Sequence, residues 1–457
     1  MFEFVGHPCL HIGYVARRFE RKPGSGASSA FSTPWRPSLS SFSCRHIAYS
    51  GISVGSRSWL QGEGFIDLEA QEKQENNMSW QHTVPRITED ERQNRLARLR
   101  KIIEAEGLAA VLLGPTESLH YFTGLVWHPS ERFLGALVTP ATISYIVPGF
   151  ERSRVETLPH LPGEILVWEE EESSAALIAR LVAQGGRLAL DDGLPLFFYH
   201  ALAAEMGAAR LADGGRLIRD LRCIKSAAEI ALIQYAMDLT LDVHRQVHGL
   251  LKPGIKSSEV VDFIDRQHRQ AGADAGSTFC IVSFGAATSL PHGADGDQTL
   301  ADGDVILVDT GCRIDGYHSD ITRTYMLEGG ESAFERAWWI EREAQQAVFD
   351  AARIGAACSS LDDAARKVLA KHSLGPNYRL PGLPHRTGHG LGLEIHEEPY
   401  IVRGNDAPLA AGMCFSNEPM IVFPGKCGIR LEDHMYMTAE GPCWLTNPAA
   451  GPTEPFS

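Results

Sequence analysis

The sequence predicts a mixed α/β domain followed by a larger α+β unit, and three observations predict it. From about residue 86, short apolar runs of strand type alternate with stretches of helical periodicity, as in a layered sheet with helices packed on it. A long helical pattern from Ala227 to Leu251 then opens a second unit and stops at Lys252-Pro253-Gly254. Beyond it, two segments read as β-hairpins, each carrying a pair of carboxylates among apolar residues.

Residues 1–77 differ from the rest: rich in Ser, Gly and Arg, with seven acidic and eight basic residues and no sustained periodicity. They read as an unstructured extension, with the working protein starting near Met78. Arg17, Arg18, Arg21, Lys22 and Arg36 among many serines could also mimic an organelle transit peptide. The α/β domain is expected over 86–215, with helices at Glu89–Glu106, Ala175–Ala183 and Leu196–Met206. Its strands are expected at Ala109–Leu113, Phe133–Val138, Ser144–Val147, Ile165–Trp168 and Arg187–Leu190. The second unit, 216–457, adds helices at Ser258–Ala271, Ser332–Ala352 and Leu361–His372.

A chain of 457 residues, 44% hydrophobic, can bury more than one core. Its formal charge of −15 repels phosphate backbones, so nucleic acid is not an expected partner. The nine cysteines are odd in number and form no C-x-x-C, which argues against a disulfide framework or a thiolate zinc site and for reduced thiols in the cytoplasm. No apolar run approaches membrane-spanning length, so no membrane association is expected.

In the first hairpin, Val305–Gly311 and Tyr317–Leu327 flank a turn around Ile314-Asp315-Gly316. A turn centred between Ile314 and Asp315 sets Asp309 opposite Asp320, and moving the centre by one residue keeps both on the same face. In the second, Met413–Phe423 and Gly428–Met437 flank Pro424-Gly425-Lys426; centred on Gly425, Glu418 faces Glu432. Like charges opposed in apolar strands are costly unless protonated or compensated. A solvated face would be the ordinary explanation, but Ile306, Leu307, Val308, Phe415, Met420, Ile421 and Val422 surround them. Bound divalent cations are the natural compensation, and oxygen-rich sites suit Mn(II), Mg(II), Co(II) or Zn(II). Residues 384–397, PHRTGHGLGLEIHE, add His385, His389 and His396 between glycines, as where backbone packs closely around a site. The glycines do not open a helix, and no phosphate-binding G-x-x-x-x-G-K-[ST] is present.

The segments VDTGCRIDGYHSDITRTY, HRTGHGLGLEIHEEP, SNEPMIV and GIRLEDH resemble those of the pita-bread metallopeptidases, the family of prolidase, aminopeptidase P, methionine aminopeptidase and the metal-free creatinase. The order Asp309, Asp320, His389, Glu418, Glu432, at spacings of 11, 69, 29 and 14, resembles the family's ligand set and suits its prolidase branch. The resemblance spans about residues 86–445 and implies a creatinase-like N-terminal α/β domain followed by a pita-bread catalytic domain. It implies two divalent ions per subunit, Mn(II) favoured, with Co(II), Zn(II) or Fe(II) as alternatives. Asp309 would bind one ion, Asp320 and Glu432 would bridge the pair, and His389 and Glu418 would bind the other. A water shared by both ions would attack a peptide bond, with Glu418 shuttling its proton. His292 and His396 would hydrogen-bond the substrate and its developing oxyanion. Arg430 could neutralise the acidic cluster, and Thr322 and Asp433 could orient ligands. A homodimer is one arrangement that the resemblance implies.

The expected substrate is a peptide, most closely an Xaa-Pro dipeptide. Aminopeptidase P activity on longer Xaa-Pro peptides is the enzymatic alternative, and a catalytically inactive peptide-binding protein is the non-enzymatic one. The sequence departs from prolidases where an arginine usually follows H-E-x-P to bind the dipeptide carboxylate: HEEPY puts Tyr400 there. Thr278-Phe279 likewise stand where a tyrosine is common.

Overall fold

The computed structural model describes residues 84–328 and 332–456. The extension expected over residues 1–77 lies outside them. The first helix, α1 (Glu89–Ala105), is capped by Thr88, whose hydroxyl accepts from the Glu91 amide, and it buries Leu96, Leu99 and Ile103. Strands β1 (Ala110–Leu113), β2 (Gly135–Val138), β3 (Ile143–Pro148), β4 (Glu164–Trp168), β5 (Leu188–Leu190) and β6 (Leu211–Asp213) form a mixed sheet in the order β4-β3-β2-β1-β5-β6. On β1, Val111 and Leu113 join the cluster of Leu96, Leu99 and Ile103, while Ala110 and Leu112 join Ile178, Phe198 and Leu202. That period-of-two division explains why the strand reads as a continuous apolar run: both of its faces are covered. The covering helices include α2 (Glu117–Thr123), α3 (Arg152–Thr157), α4 (Ser174–Leu181) and α5 (Leu196–Met206), and α6 (Gly215–Cys223) leads out of this region.

The second region opens with α7 (Ala227–Leu250), whose Ser226 and Glu229 form a reciprocal capping box. After α8 (Ser257–Gln270), strands β7 (Ser277–Phe284), β8 (Ile306–Ile314), β9 (Tyr317–His318) and β10 (Ile321–Tyr325) form an antiparallel sheet with β8 central. Helices α9 (Ser332–Ala351) and α10 (Cys358–Lys371) precede a second sheet, built from β11 (Gly388–Gly390), β12 (Glu397–Ile401), β13 (Cys414–Asn417), β16 (Asp433–Met437) and β17 (Pro442–Trp444). Between β13 and β16, β14 (Met420–Phe423) and β15 (Cys427–Arg430) form a separate two-stranded ladder.

The first hairpin differs in register from the expectation. Asp315 and Gly316 both take left-handed conformations, with φ of 51° and 85°, and Ile314 pairs with Tyr317 across them. This two-residue Asp-Gly turn is favoured because its twist matches that of the strands. Its centre is one residue later than expected, so Asp309 pairs with Thr322 rather than Asp320. Asp320 therefore sits diagonally from Asp309, on the face foreseen. The second hairpin keeps its expected register: Met420 pairs with Arg430 and Asn417 with Asp433. The ladder is interrupted at Glu418 and Glu432, however. The Glu418 amide donates to the Thr387 carbonyl and the Glu432 amide to the Thr322 carbonyl, which ties the two sheets together at these residues.

Alternation then sorts the side chains. Ile306, Val308, Cys312 and Ile314 of β8 enter the core with α7, leaving Asp309 on the opposite face. Met413, Phe415, Met435 and Met437 pack with Val348 of α9 and Leu361 of α10, leaving Ser416, Glu418, Glu432 and His434 on the other side. The carboxylates are thus backed by apolar layers and turned toward one another.

Candidate metal centre

Asp309, Asp320, His389, Glu418 and Glu432 are all buried, and the fold brings them together. His389 is set by its own segment. Its amide donates to Ser416 Oγ at 2.9 Å, and Nδ1 donates to the Gly390 carbonyl at 3.0 Å, since a carbonyl can only accept. Nε2 is thereby aimed at the cluster, 3.1 Å from Glu418 Oε1 and 3.7 Å from Asp320 Oδ2. Ser416 Oγ also donates to Glu418 Oε1 at 3.1 Å. Gly388 and Gly390 allow this approach: a Cβ on either would strike the backbone carbonyl of Ser416 or of Glu398.

Arg430 and Thr322 organise the other end. The guanidinium donates to Asp309 Oδ2 through Nη2, to Thr322 Oγ1 through Nε at 3.0 Å, and to the Pro291 carbonyl through Nη1 at 3.3 Å. Thr322 Oγ1 in turn donates to Glu432 Oε2 at 2.6 Å. Asp433 takes no part in this network; it accepts from Arg323, Gln345 and Thr446 inside the core.

The electrostatics are those of buried carboxyl groups crowded together, with the buried Arg430 guanidinium set among them. Burial, then repulsion from Glu432, Asp309 and Glu418, pushes the Asp320 carboxyl well above its ordinary range. Glu432 is raised likewise, by burial and then by Glu418 and Asp309, and Asp309 is raised by burial against the pull of Arg430. Burial would raise Glu418 too, but His389, His385 and Arg430 outweigh it and hold that carboxyl below the ordinary range. Asp309 Oδ1, Asp320 Oδ1 and Glu432 Oε1 are buried with no hydrogen-bond partner among the described residues. Three converging oxygens left unsatisfied beside an imidazole nitrogen fit divalent cations, which would supply the missing partners. Donor atoms of His389, Glu418 and Glu432 lie within 4.8 Å of one another, as do those of Asp320, His389 and His396.

The other expected residues line the approach. His396 stacks edge-on against His389, with ring centroids 4.2 Å apart; partial burial, then His389 and Arg386, push its imidazole down to about 4. His292 is exposed, follows the Pro291 carbonyl that Arg430 binds, and is close enough to act electrostatically on His396. Tyr400 is half-buried, and the Arg386 guanidinium lies over its ring at 4.5 Å. Three residues escaped the sequence reading: Arg386, Ser416 and His434. Ser416 and His434 had a legible signal, since each lies two positions from an expected ligand on the same strand face.

Residues 231–439 match metallopeptidase family M24, and residues 95–224 match the creatinase/prolidase N-terminal domain. The chain is 34% identical over 366 residues to a probable dipeptidase PepE of Mycobacterium tuberculosis, an alignment covering 77% of this chain and 94% of that protein. The chain belongs to metallopeptidase family M24. It is also 27% identical to the Xaa-Pro dipeptidase of Pyrococcus horikoshii, over 76% of this chain and 96% of that one. The crystal structure of dipeptidase PepE from Mycobacterium ulcerans superposes with a TM-score of 0.73 at 31% identity, covering 80% of this chain and 97% of that one. The fold is accordingly a creatinase-type N-terminal domain followed by the M24 pita-bread catalytic domain, and the protein is a metallopeptidase whose family implies divalent metal ions. No helix among the described residues is long and apolar enough to cross a membrane.

Proposed function

We propose that this metallopeptidase hydrolyses Xaa-Pro dipeptides with a pair of divalent ions, Mn(II) favoured, in a catalytic domain over about 216–457 supported by one over 86–215. Asp309, Asp320, His389, Glu418 and Glu432 would hold the ions. Divalent cations held there would supply an acidified water and a polarised scissile carbonyl. Glu418, kept ionised by His389, His385 and Arg430, is suited to take the water's proton and pass it to the leaving nitrogen. His396 and His292 line the open side, where they can donate to the carbonyl oxygen as charge develops. Arg430 holds Asp309 in place and keeps the anionic cluster from repelling itself apart.

The observation that carries the dipeptide reading is Arg386. Its guanidinium lies over Tyr400, acts on His396, and makes no hydrogen bond or ion pair among the described residues. A free carboxylate bound in such a cleft needs a charged donor. Arg386 supplies one beside the position where prolidases carry their arginine and this chain carries Tyr400. The related proteins named dipeptidase and Xaa-Pro dipeptidase support the same reading. Capping an Xaa-Pro dipeptide as its C-terminal amide should remove most of kcat/KM, and Arg386→Ala should abolish the difference between free and capped substrate. Equal rates on free and amidated dipeptide, with efficient cleavage of Xaa-Pro-Xaa tripeptides, would move the protein to aminopeptidase P activity.

A further inference from the structure

His434 faces the metal centre and is left out of the five-donor set. It sits on β16 opposite Ser416, two positions after Glu432, so strand alternation turns it to the side of Glu432, Glu418 and Ser416. It is fully buried, and neither ring nitrogen makes a hydrogen bond of proper geometry among the described residues, although the Asp320 backbone lies close enough to act on the ring. Leaving a buried polar group of this kind unsatisfied is unfavourable. A histidine placed only for packing finds a partner more cheaply: His244, equally buried, donates through Nε2 to the Ile321 carbonyl at 3.1 Å. His434 instead brings a ring nitrogen within 4.8 Å of carboxylate oxygens of both Asp320 and Glu432, and its ring centroid lies 6.0 Å from that of His389.

We propose that His434 is a sixth protein donor of the metal centre, coordinating the ion that His389 and Glu418 hold and giving it a second imidazole. This rests on the five-donor reading above. Such an ion would have a more nitrogen-rich environment than its neighbour, which favours Zn(II), Co(II) or Fe(II) over Mg(II) at that position.

X-ray absorption of the full chain loaded with Zn(II) counts imidazoles directly through their multiple scattering. The proposal expects one imidazole per ion averaged over the pair; one imidazole per two ions, which is His389 alone, overturns it. In a stepwise Co(II) titration, His434→Ala should weaken one of two binding steps by about tenfold to a hundredfold and change the visible Co(II) spectrum, with far-ultraviolet circular dichroism unchanged. Unchanged affinities and spectrum in a folded variant also overturn it. If the variant does not fold, the absorption measurement on the wild-type chain decides. Asp320→Ala separates the two readings: retention of both ions there defeats the five-donor set, whatever the imidazole count.

Discussion

Asp320 and Glu432 carry the strongest constraint at the level of single residues, because each is buried, raised by its neighbours and left with one unpaired oxygen. Replacing either by Ala should abolish activity and lose at least one metal ion, measured as bound metal per chain; unchanged metal content in both variants would sink the assignment of these residues. Glu418→Gln should keep part of the metal and lose most turnover, since an amide cannot carry a proton; near-native turnover would remove Glu418 from the shuttle role. The raised carboxyls also give a pH dependence. A group whose folded pKa is raised keeps protons that the unfolded chain releases. In metal-free protein the contribution of Asp320 and Glu432 is therefore greatest below the ordinary carboxylate range and is lost as pH rises toward their folded values. Cations replace those protons, so stripping metal with a chelator should lower Tm more at neutral pH than in mild acid. An equal drop at both would contradict the account. The two carboxylate pairs were legible from residue type and spacing, whereas His389 was singled out from His385 and His396 only by the family resemblance. Arg386 was not, because a cation two residues from a glycine pair has no signature until Tyr400 is folded against it.

At the level of elements, the hairpins were legible because carboxylates break an apolar pattern, and a period of two then fixes their face whichever residue centres the turn. What the pattern could not fix was the Asp-Gly turn's own preference, which moved the pairing partner of Asp309 by two positions. Nor could it reveal the interruption at Glu418 and Glu432, which depends on Thr387, just before β11, and Thr322 of β10. The helix α5 was legible to its ends, whereas α2 was missed: seven residues, almost all buried, leave no amphipathic stripe to read. Gly311 shows how tightly the first hairpin is built. It faces Asp320 across the hairpin, and a Cβ there would collide with the Ser319 carbonyl and approach the Phe279 ring to 3.0 Å. Gly311→Ala should therefore push the 319–320 segment outward, costing about 1–3 kcal/mol of stability and weakening metal retention together. Urea unfolding and metal content both unchanged would show that the segment can yield without moving Asp320.

Across the whole molecule, the two-part fold class was legible from the alternation of strand and helix patterns, but the join between the parts was not, because it rests on charges far apart in sequence. Glu397, at the start of β12 and next to His396, accepts from Arg222 Nη2 at 2.6 Å and Lys225 Nζ at 2.7 Å, with all three side chains buried. Arg222 lies in the last turn of α6 and Lys225 just before α7, so this triad fastens the passage between the N-terminal sheet and the catalytic region to the strand that follows His396. Burial would raise the Glu397 carboxyl, yet Lys225 and Arg222 outweigh it and hold it below the ordinary range. A carboxyl depressed in the folded state contributes stability that is fully present above its unfolded pKa and is lost as pH falls through its folded pKa. Glu397→Ala leaves two buried cations without their shared anion, which costs about 3–5 kcal/mol where a buried pair is broken on one side. Chemical unfolding should show that loss at neutral pH, with the gap between wild type and variant narrowing as the solution is made strongly acid. Metal content should stay near that of the wild type, because Glu397 is none of the candidate donors, while KM rises as His396 loses its anchored strand. A variant as stable as the wild type at neutral pH would mean that Arg222 and Lys225 find other partners, Glu394 being the nearest at 3.0 Å from Arg222.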